Sequence, residues 1–179
     1  MKLLQPYLPS ENSVSASAYV EGGSLFALGL IHANHGSAVL TYLTNQLKNT
    51  QNEVTQHGAC LGLGVAAMAS GMEGTIDHCP FINDILADIY DQIKNILFSD
   101  SAVAGEAAGL AMGLVMLGTA SRQAFDVMIQ YAHDTQHEKI IRGLAMGLAL
   151  LVYGREEEAD VFIETLMADK ACLDNLSSH

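Results

Sequence analysis

An all-α chain is predicted, an α-solenoid of about four helical hairpins in a right-handed stack. Three observations carry this. Four apolar segments share one register, with Gly29, Gly64, Gly113 and Gly147 at the common position. Each is followed by an amphipathic segment of helical period. The composition is that of closely packed helices: of 179 residues half are hydrophobic, 16 are glycine, and tryptophan is absent.

The elements follow in order. Residues 1–18 hold Pro6, Pro9 and a serine-rich run and read as an N-terminal arm. Tyr19–Asn34 is the first apolar segment, and Ala38–Lys48 its amphipathic partner, with Val39, Leu40, Leu43 and Leu47 on one face. Val54–Ser70 is the second apolar segment, ended by Gly71 and Gly74. Residues 75–87, TIDHCPFINDILA, read as an insertion with a loop elaboration, followed by an amphipathic helix over Asp88–Phe98. Ser99-Asp100-Ser101 is a cap signal for the third apolar segment, GEAAGLAMGLVMLGT. Its amphipathic partner is Arg122–Ala132. Lys139–Tyr153 is the fourth apolar segment, ending at Gly154, and Glu156–Ala168 its partner, with acids at the favourable end of the macrodipole.

Gly105, Gly109 and Gly113 recur at i, i+4 and i+8 and so share one side of a helix. Each costs about 1 kcal/mol in a helix interior, and close backbone packing must offset this. Gly143 precedes Gly147 by the same four residues. Two residues before the common glycine stand Ala27, Gly62, Ala111 and Ala145, all small. Seven after it stand Gly36, Gly71, Ala120 and Gly154, with the glycine expected to close the helix in three of the four. The spacings of 35, 49 and 34 residues give a period near 35 with one insertion. The domain reading is an arm over 1–18, repeats over about 19–52, 53–100, 101–136 and 137–170, and a divergent tail over 171–179. A hairpin of this kind cannot bury its faces alone, so the units must stack.

Charge narrows the partners. The net charge of −12 with only eight basic residues argues against nucleic acid and anionic membrane surfaces. Ser101–Ala120 is long and apolar with one charge, Glu106. It lacks aromatic belts and basic flanks, and its sister segments are too short to span, so a buried solenoid helix is the better reading. No long apolar leader is seen at the N-terminus, and three cysteines without regular spacing suggest a reducing compartment.

Motifs for chemistry are sparse. Gly62, Gly64 and Ala67 match a dinucleotide fingerprint with Asp84 twenty residues on, but the fingerprint needs a preceding strand and the sequence here is helical. His133 and His137 stand at i, i+4, yet the intervening DTQH is a turn. His32, His35 and His78-Cys79 add no ligand spacing, so no metal or cofactor is expected. No nucleophile elbow occurs, and no catalytic residue is assigned. Glu106 would be an acid–base candidate if buried, but it is read as a first-turn acid facing the helix end. Glu156-Glu157-Glu158 reads as a solvated first turn.

The runs YVEGGSLFALGLIHANHG (19–36), HGACLGLGVAAM (57–68), GEAAGLAMGLVMLG (105–118) and HEKIIRGLAMGLALLVYGREEEAD (137–160) resemble the proteasome/cyclosome repeat. The overall likeness is to the large non-ATPase subunits of the proteasome regulatory particle and covers about residues 1–170 outside the insertion. The resemblance implies a toroidal array in the family, built from many more than four repeats. It implies a non-catalytic scaffold of the base subcomplex that positions ATPases and ubiquitin receptors, in cytoplasm and nucleus. The alternative is a generic helical-repeat binding module outside the proteasome; a small membrane or metal-dependent enzyme is the third.

Overall fold

The computed structural model describes residues 4–9, 17–33, 37–68 and 80–168. Among them are eight α-helices and no strand: α1 (Ala18–Ile31), α2 (Ser37–Asn49), α3 (Glu53–Ala66), α4 (Pro80–Phe98), α5 (Ala102–Val115), α6 (Arg122–Asp134), α7 (Glu138–Leu151) and α8 (Glu157–Ala168). A short 3-10 turn, Gln5–Tyr7, lies against α1, where Ser24 Oγ donates to the Tyr7 carbonyl at 2.8 Å.

The odd-numbered, glycine-rich helices form one layer in the order α1, α3, α5, α7, each packed along the next. They run parallel, since early residues meet early residues and late ones meet late ones: Gly22 faces Val54, and Gly29 faces Gly62. The even-numbered helices form the second layer. An even helix packs chiefly on the odd helix that follows it, α2 on α3, α4 on α5 and α6 on α7, rather than on its own hairpin partner. The hairpin read from the sequence is therefore the unit of repetition but not the main unit of packing.

Burial follows the two periods. The core is built of Leu25 and Leu28 from α1, Leu43 from α2, Leu63 from α3, Ile89, Ile93 and Leu97 from α4, Phe125 and Met128 from α6, and Ile140 and Leu144 from α7. Leu, Ile and Phe thus fill the space between layers, while Gly and Ala line the contacts within the odd layer.

The helix starts have a common cause. Ser17, Asn52 and Ser101 each stand twelve residues before the shared glycine and cap α1, α3 and α5. Ser17 Oγ accepts from Tyr19 N, Asn52 Oδ1 from Val54 and Thr55 N, and Ser101 Oγ from Ala104 N. The equivalent residue of the fourth unit, Thr135, does not cap α7. That helix starts two residues later, after His137, whose side chain makes no capping bond. Its end moves likewise, to four residues past Gly147, whereas α1, α3 and α5 end two past Gly29, Gly64 and Gly113. The whole of α7 is displaced by two residues relative to the sequence register.

Two expectations are corrected. Residues 80–87 are not a loop elaboration but the opening turns of α4, which begins at Pro80; proline there forgoes only an N–H that has no intrahelical partner. Residues 75–79, with His78 and Cys79, lie outside the described residues, as do Gly71, Gly74 and the 171–179 tail. The closing position seven residues after the shared glycine does not end a helix. α5 stops at Val115 and α7 at Leu151, and Ala120 and Gly154 fall in the connections beyond, with φ of 51° and 73°. Both take the left-handed region that turns the chain toward the next helix. Gly36 lies outside the described residues.

Candidate interaction surface

The glycines act by letting backbones touch. On α5, Gly105, Gly109 and Gly113 all face α7, meeting Ile140, Leu144 with Gly143, and Gly147 in turn. A Cβ at Gly109 would sit 2.8 Å from the Leu144 backbone nitrogen, and one at Gly113 would strike the backbone of Gly147. Gly143 lies against the Glu106 backbone and Gly147 against Gly109. Between α1 and α3, Gly29 meets Gly62 and Gly22 meets Gly58. Between α3 and α5, Gly64 meets Ala111, whose Cα would lie 2.8 Å from an added Cβ.

These contacts give each small column a direction. The shared glycine faces the following helix, as Gly29, Gly64 and Gly113 do. The small residue two before it, Gly62 or Ala111, faces the preceding helix. In the displaced α7 the roles move by two, so Gly147 itself meets Gly113, in the place that Gly62 and Ala111 take in their helices.

Polar contacts join the same odd helices near their N-terminal ends. Thr55 Oγ1 donates to Glu21 Oε2 at 3.4 Å, and Ser101 Oγ donates to Glu53 Oε2 at 2.9 Å. His57 Nδ1 lies 2.8 Å from the Val103 carbonyl; a carbonyl only accepts, so this nitrogen carries the proton. Arg142 Nη2 pairs with Glu106 Oε1 at 3.5 Å. Glu106 is thus not a first-turn acid facing the helix end. It stands in the second turn of α5 on the flank toward α7, because the first turn is taken by Ala102–Gly105.

A second polar group ties neighbouring connections together. Asp100, at φ 56°, accepts from Thr135 Oγ1 at 2.7 Å and from the Tyr131 hydroxyl at 3.0 Å, with His137 Nε2 3.7 Å from its other oxygen. The Thr135 hydrogen bond is the largest cause holding the Asp100 carboxyl below the usual range; burial opposes it, and Tyr131 and His137 add to the lowering. Burial first, and Asp100 second, push the Tyr131 phenol up to about 12.

The connection after α5 closes the end of α7. Gly118 N donates to Leu150 O and Ala120 N to Leu151 O, both at 3.0 Å, and Arg155 Nε returns to Gly118 O. Two carbonyls of the last turn of α7 are satisfied in this way. The signal in the sequence was the small run Gly118-Thr119-Ala120, which reads as a simple turn until its tertiary partner is seen.

The other candidates separate. His133 and His137 do not share a helix face, since α6 ends at Asp134 between them. His32 is the C-cap residue of α1, and His35 lies outside the described residues. No group of three or more potential metal ligands occurs among the described residues. The fingerprint glycines Gly62 and Gly64 lie inside α3, with helix rather than strand before them, and Asp84 lies in α4. Cys60 is fully buried, and burial pushes its thiol up to about 12. Glu157 and Glu158 are exposed in the first turn of α8, and Glu158 pairs with Arg155 at 3.6 Å. None of the described helices is long and apolar enough to cross a membrane.

What remains exposed and apolar lies largely at the two ends of the stack. Tyr19, Val20, Leu30 and Ile31 project from α1, Met146 from α7, Tyr153 from the connection after it, and Val161, Ile163 and Met167 from α8.

Stacked parallel glycine-rich helices backed by amphipathic ones define a helical-repeat scaffold, and the repeat can be identified. The family model of the proteasome/cyclosome repeat matches residues 23–56 and 107–141, in keeping with the α-solenoid that the described helices form. More particularly, it is similar to one region of a large proteasomal subunit. It is 54% identical over 169 residues to the 26S proteasome regulatory subunit rpn2 of Schizosaccharomyces pombe, covering 94% of this chain and 16% of that protein. It is 55% identical to the 26S proteasome non-ATPase regulatory subunit 1 homolog B of Arabidopsis thaliana, covering 94% and 15%. It is 50% identical to the 26S proteasome non-ATPase regulatory subunit 1 of Drosophila melanogaster, covering 95% and 15%. The chain spans about a sixth of the length of these relatives.

Proposed function

We propose that this chain serves as a non-catalytic scaffold segment in the base of the 26S proteasome regulatory particle. The observation that carries the reading is identity of 50–55% to named 26S regulatory subunits over 94–95% of the chain. The physical character of the surface supports it. Many of the described polar side chains serve as helix caps or bonds between neighbouring units, as a stacked structural repeat requires. In this reading the solenoid supports degradation of ubiquitinated proteins by holding ATPases and ubiquitin receptors in position, in cytoplasm and nucleus. The repeats at about 19–52, 53–100, 101–136 and 137–170 supply the stack, the glycines at positions 29, 64, 109, 113, 143 and 147 set its spacing, and Gly154 turns the chain.

The test is affinity purification of the tagged chain from its own cells, followed by mass spectrometry. Stoichiometric recovery of proteasomal ATPases and ubiquitin receptors is the expected outcome. A distinct stoichiometric set of other proteins would overturn the proteasomal role and favour a helical-repeat module acting elsewhere.

A further inference from the structure

We infer that this stack carries a joint: α1–α3 and α4–α8 are two stiff halves, and they swing on one another at the seam between α3 and α5. The inference concerns packing alone and does not depend on the proteasomal reading.

Two helices resist sliding where each backbone sits in a notch left by the glycines of the other. Between α1 and α3 the notches are reciprocal. A Cβ added at Gly22 would strike the Val54 carbonyl and one at Gly29 the Gly62 backbone; in return, one at Gly58 would strike the Gly22 backbone and one at Gly62 the Leu25 carbonyl. Between α5 and α7 they are reciprocal again. Gly109 and Gly113 receive the backbone of α7 from Gly143 to Gly147, while Gly143 and Gly147 receive that of Glu106 and Gly109. Any slide along these axes lifts a backbone out of its notch and drives it against the next side chain.

The seam between α3 and α5 lacks this lock. Gly58 and Gly62 face α1, and the nearest neighbours of Gly105, Gly109 and Gly113 all lie on α7, so Gly64 is the one glycine that looks across. What it meets is Ala111, with Cα 2.8 Å and Cβ 2.9 Å from an added Cβ. The shared-glycine contact is therefore glycine on glycine at Gly29–Gly62 and Gly113–Gly147, and glycine on alanine here. The Ala111 methyl stands between the backbones, and α3 and α5 pack less extensively than either neighbouring pair. Polar bonds cross the seam near its N-terminal end, where His57 Nδ1 donates to the Val103 carbonyl at 2.8 Å and Ser101 Oγ to Glu53 at 2.9 Å. They pin that end, so the swing is largest at the other, beyond Gly64 and Ala111. The second layer divides at the same place: α2 rests on α3, and α4 rests on α5 with little of it on α3. Between α2 and α4 lies the Lys48–Asp88 ion pair at 2.9 Å, exposed on both sides, and its flexible lysine stem follows the movement.

The experiment is pulsed dipolar spectroscopy of the full chain, with spin labels carried on an unnatural ketone side chain so that the three native cysteines stay in place. Ile31, Met68, Gln123 and Tyr153 are the sites, all exposed and all toward the side where the odd helices finish. Ile31–Met68 lies within the first half, Gln123–Tyr153 within the second, and Met68–Gln123 crosses the seam. Met68 and Gln123 each serve in one internal pair as well as the crossing pair, so the mobility of a label at its own site is common to both. The crossing pair is expected to give a distance distribution wider than either internal pair by about 1–2 Å, the displacement of helices that shift against each other. Ala111→Gly supplies the missing reciprocal notch, and with unchanged helical circular dichroism it is expected to narrow the crossing distribution to the internal width while leaving the internal pairs as they were. A wild-type crossing distribution no wider than the internal ones overturns the inference, as does an Ala111→Gly distribution that stays as wide as wild type.

Discussion

Replacing Gly113 by alanine adds one methyl group where the structure has no room. The new carbon would lie 2.8 Å from the carbonyl carbon of Gly147 and closer still to its Cα and oxygen. All three are backbone atoms, so no side chain can swing aside. α5 and α7 must separate by about 1 Å to restore normal contact near 3.5–4 Å. Overpacking of this kind costs about 3 kcal/mol. Alanine returns about 1 kcal/mol through its better helix propensity. The expected net loss is about 2 kcal/mol, and for a chain of this size that lowers Tm by about 4–8 °C. Gly23→Ala is the control, since it gains the same propensity in open space, and its Tm should rise by about 2–4 °C. Both are read by calorimetry at a dilution where the chain is monomeric. A Gly113→Ala protein melting at or above wild type would refute the claim that backbone contact, rather than turn geometry, is why glycine stands there.

Other outcomes follow from the same contacts. Asn52→Ala removes an acceptor that serves two N–H groups and should cost about 1 kcal/mol in chemical denaturation, while Asn52→Gly should cost only a few tenths. The Glu106–Arg142 pair is largely exposed on the arginine side, so a double-mutant cycle should give no more than about 0.5 kcal/mol, vanishing in high salt. Asp100 has a lowered carboxyl pKa in the fold, so its stabilising contribution is present above the ordinary carboxylate pKa and is lost as pH falls through the lowered one. Thr135→Val removes the principal cause, and a carbon-detected NMR titration should show the Asp100 midpoint moving up.

The architecture was legible because its physics is one-dimensional. A glycine in a helix interior is costly, so four in one register announce close packing, and the alternation of apolar and amphipathic segments announces two layers. The opening turns of α4 were harder. Residues 75–87 were set apart because they do not fit a short connection between paired helices, yet from Pro80 onward they are the first turns of the helix itself. The direction of each small column was also hidden. Gly62 and Gly64 are two apart, and the sequence does not say that one meets α1 and the other α5. Glu106 was misplaced by one turn: the cap at Ser101 was read correctly, but the first turn after it closes at Gly105 and leaves Glu106 in the second. The bonds from Gly118 and Ala120 to the end of α7 join residues about thirty apart, beyond what local pattern reports.

The displacement of α7 means that this molecule keeps two rulers. Measured along the chain, the third and fourth shared glycines are 34 residues apart; measured by helix starts, α5 and α7 are 36 apart. A chimera that pasted the third unit over the fourth by aligning helix starts would present Ala107 and Ala111 where Gly143 and Gly147 now meet α5, and the two backbones could not close. Repeats of this kind are interchangeable only after each has been indexed by the neighbour it touches.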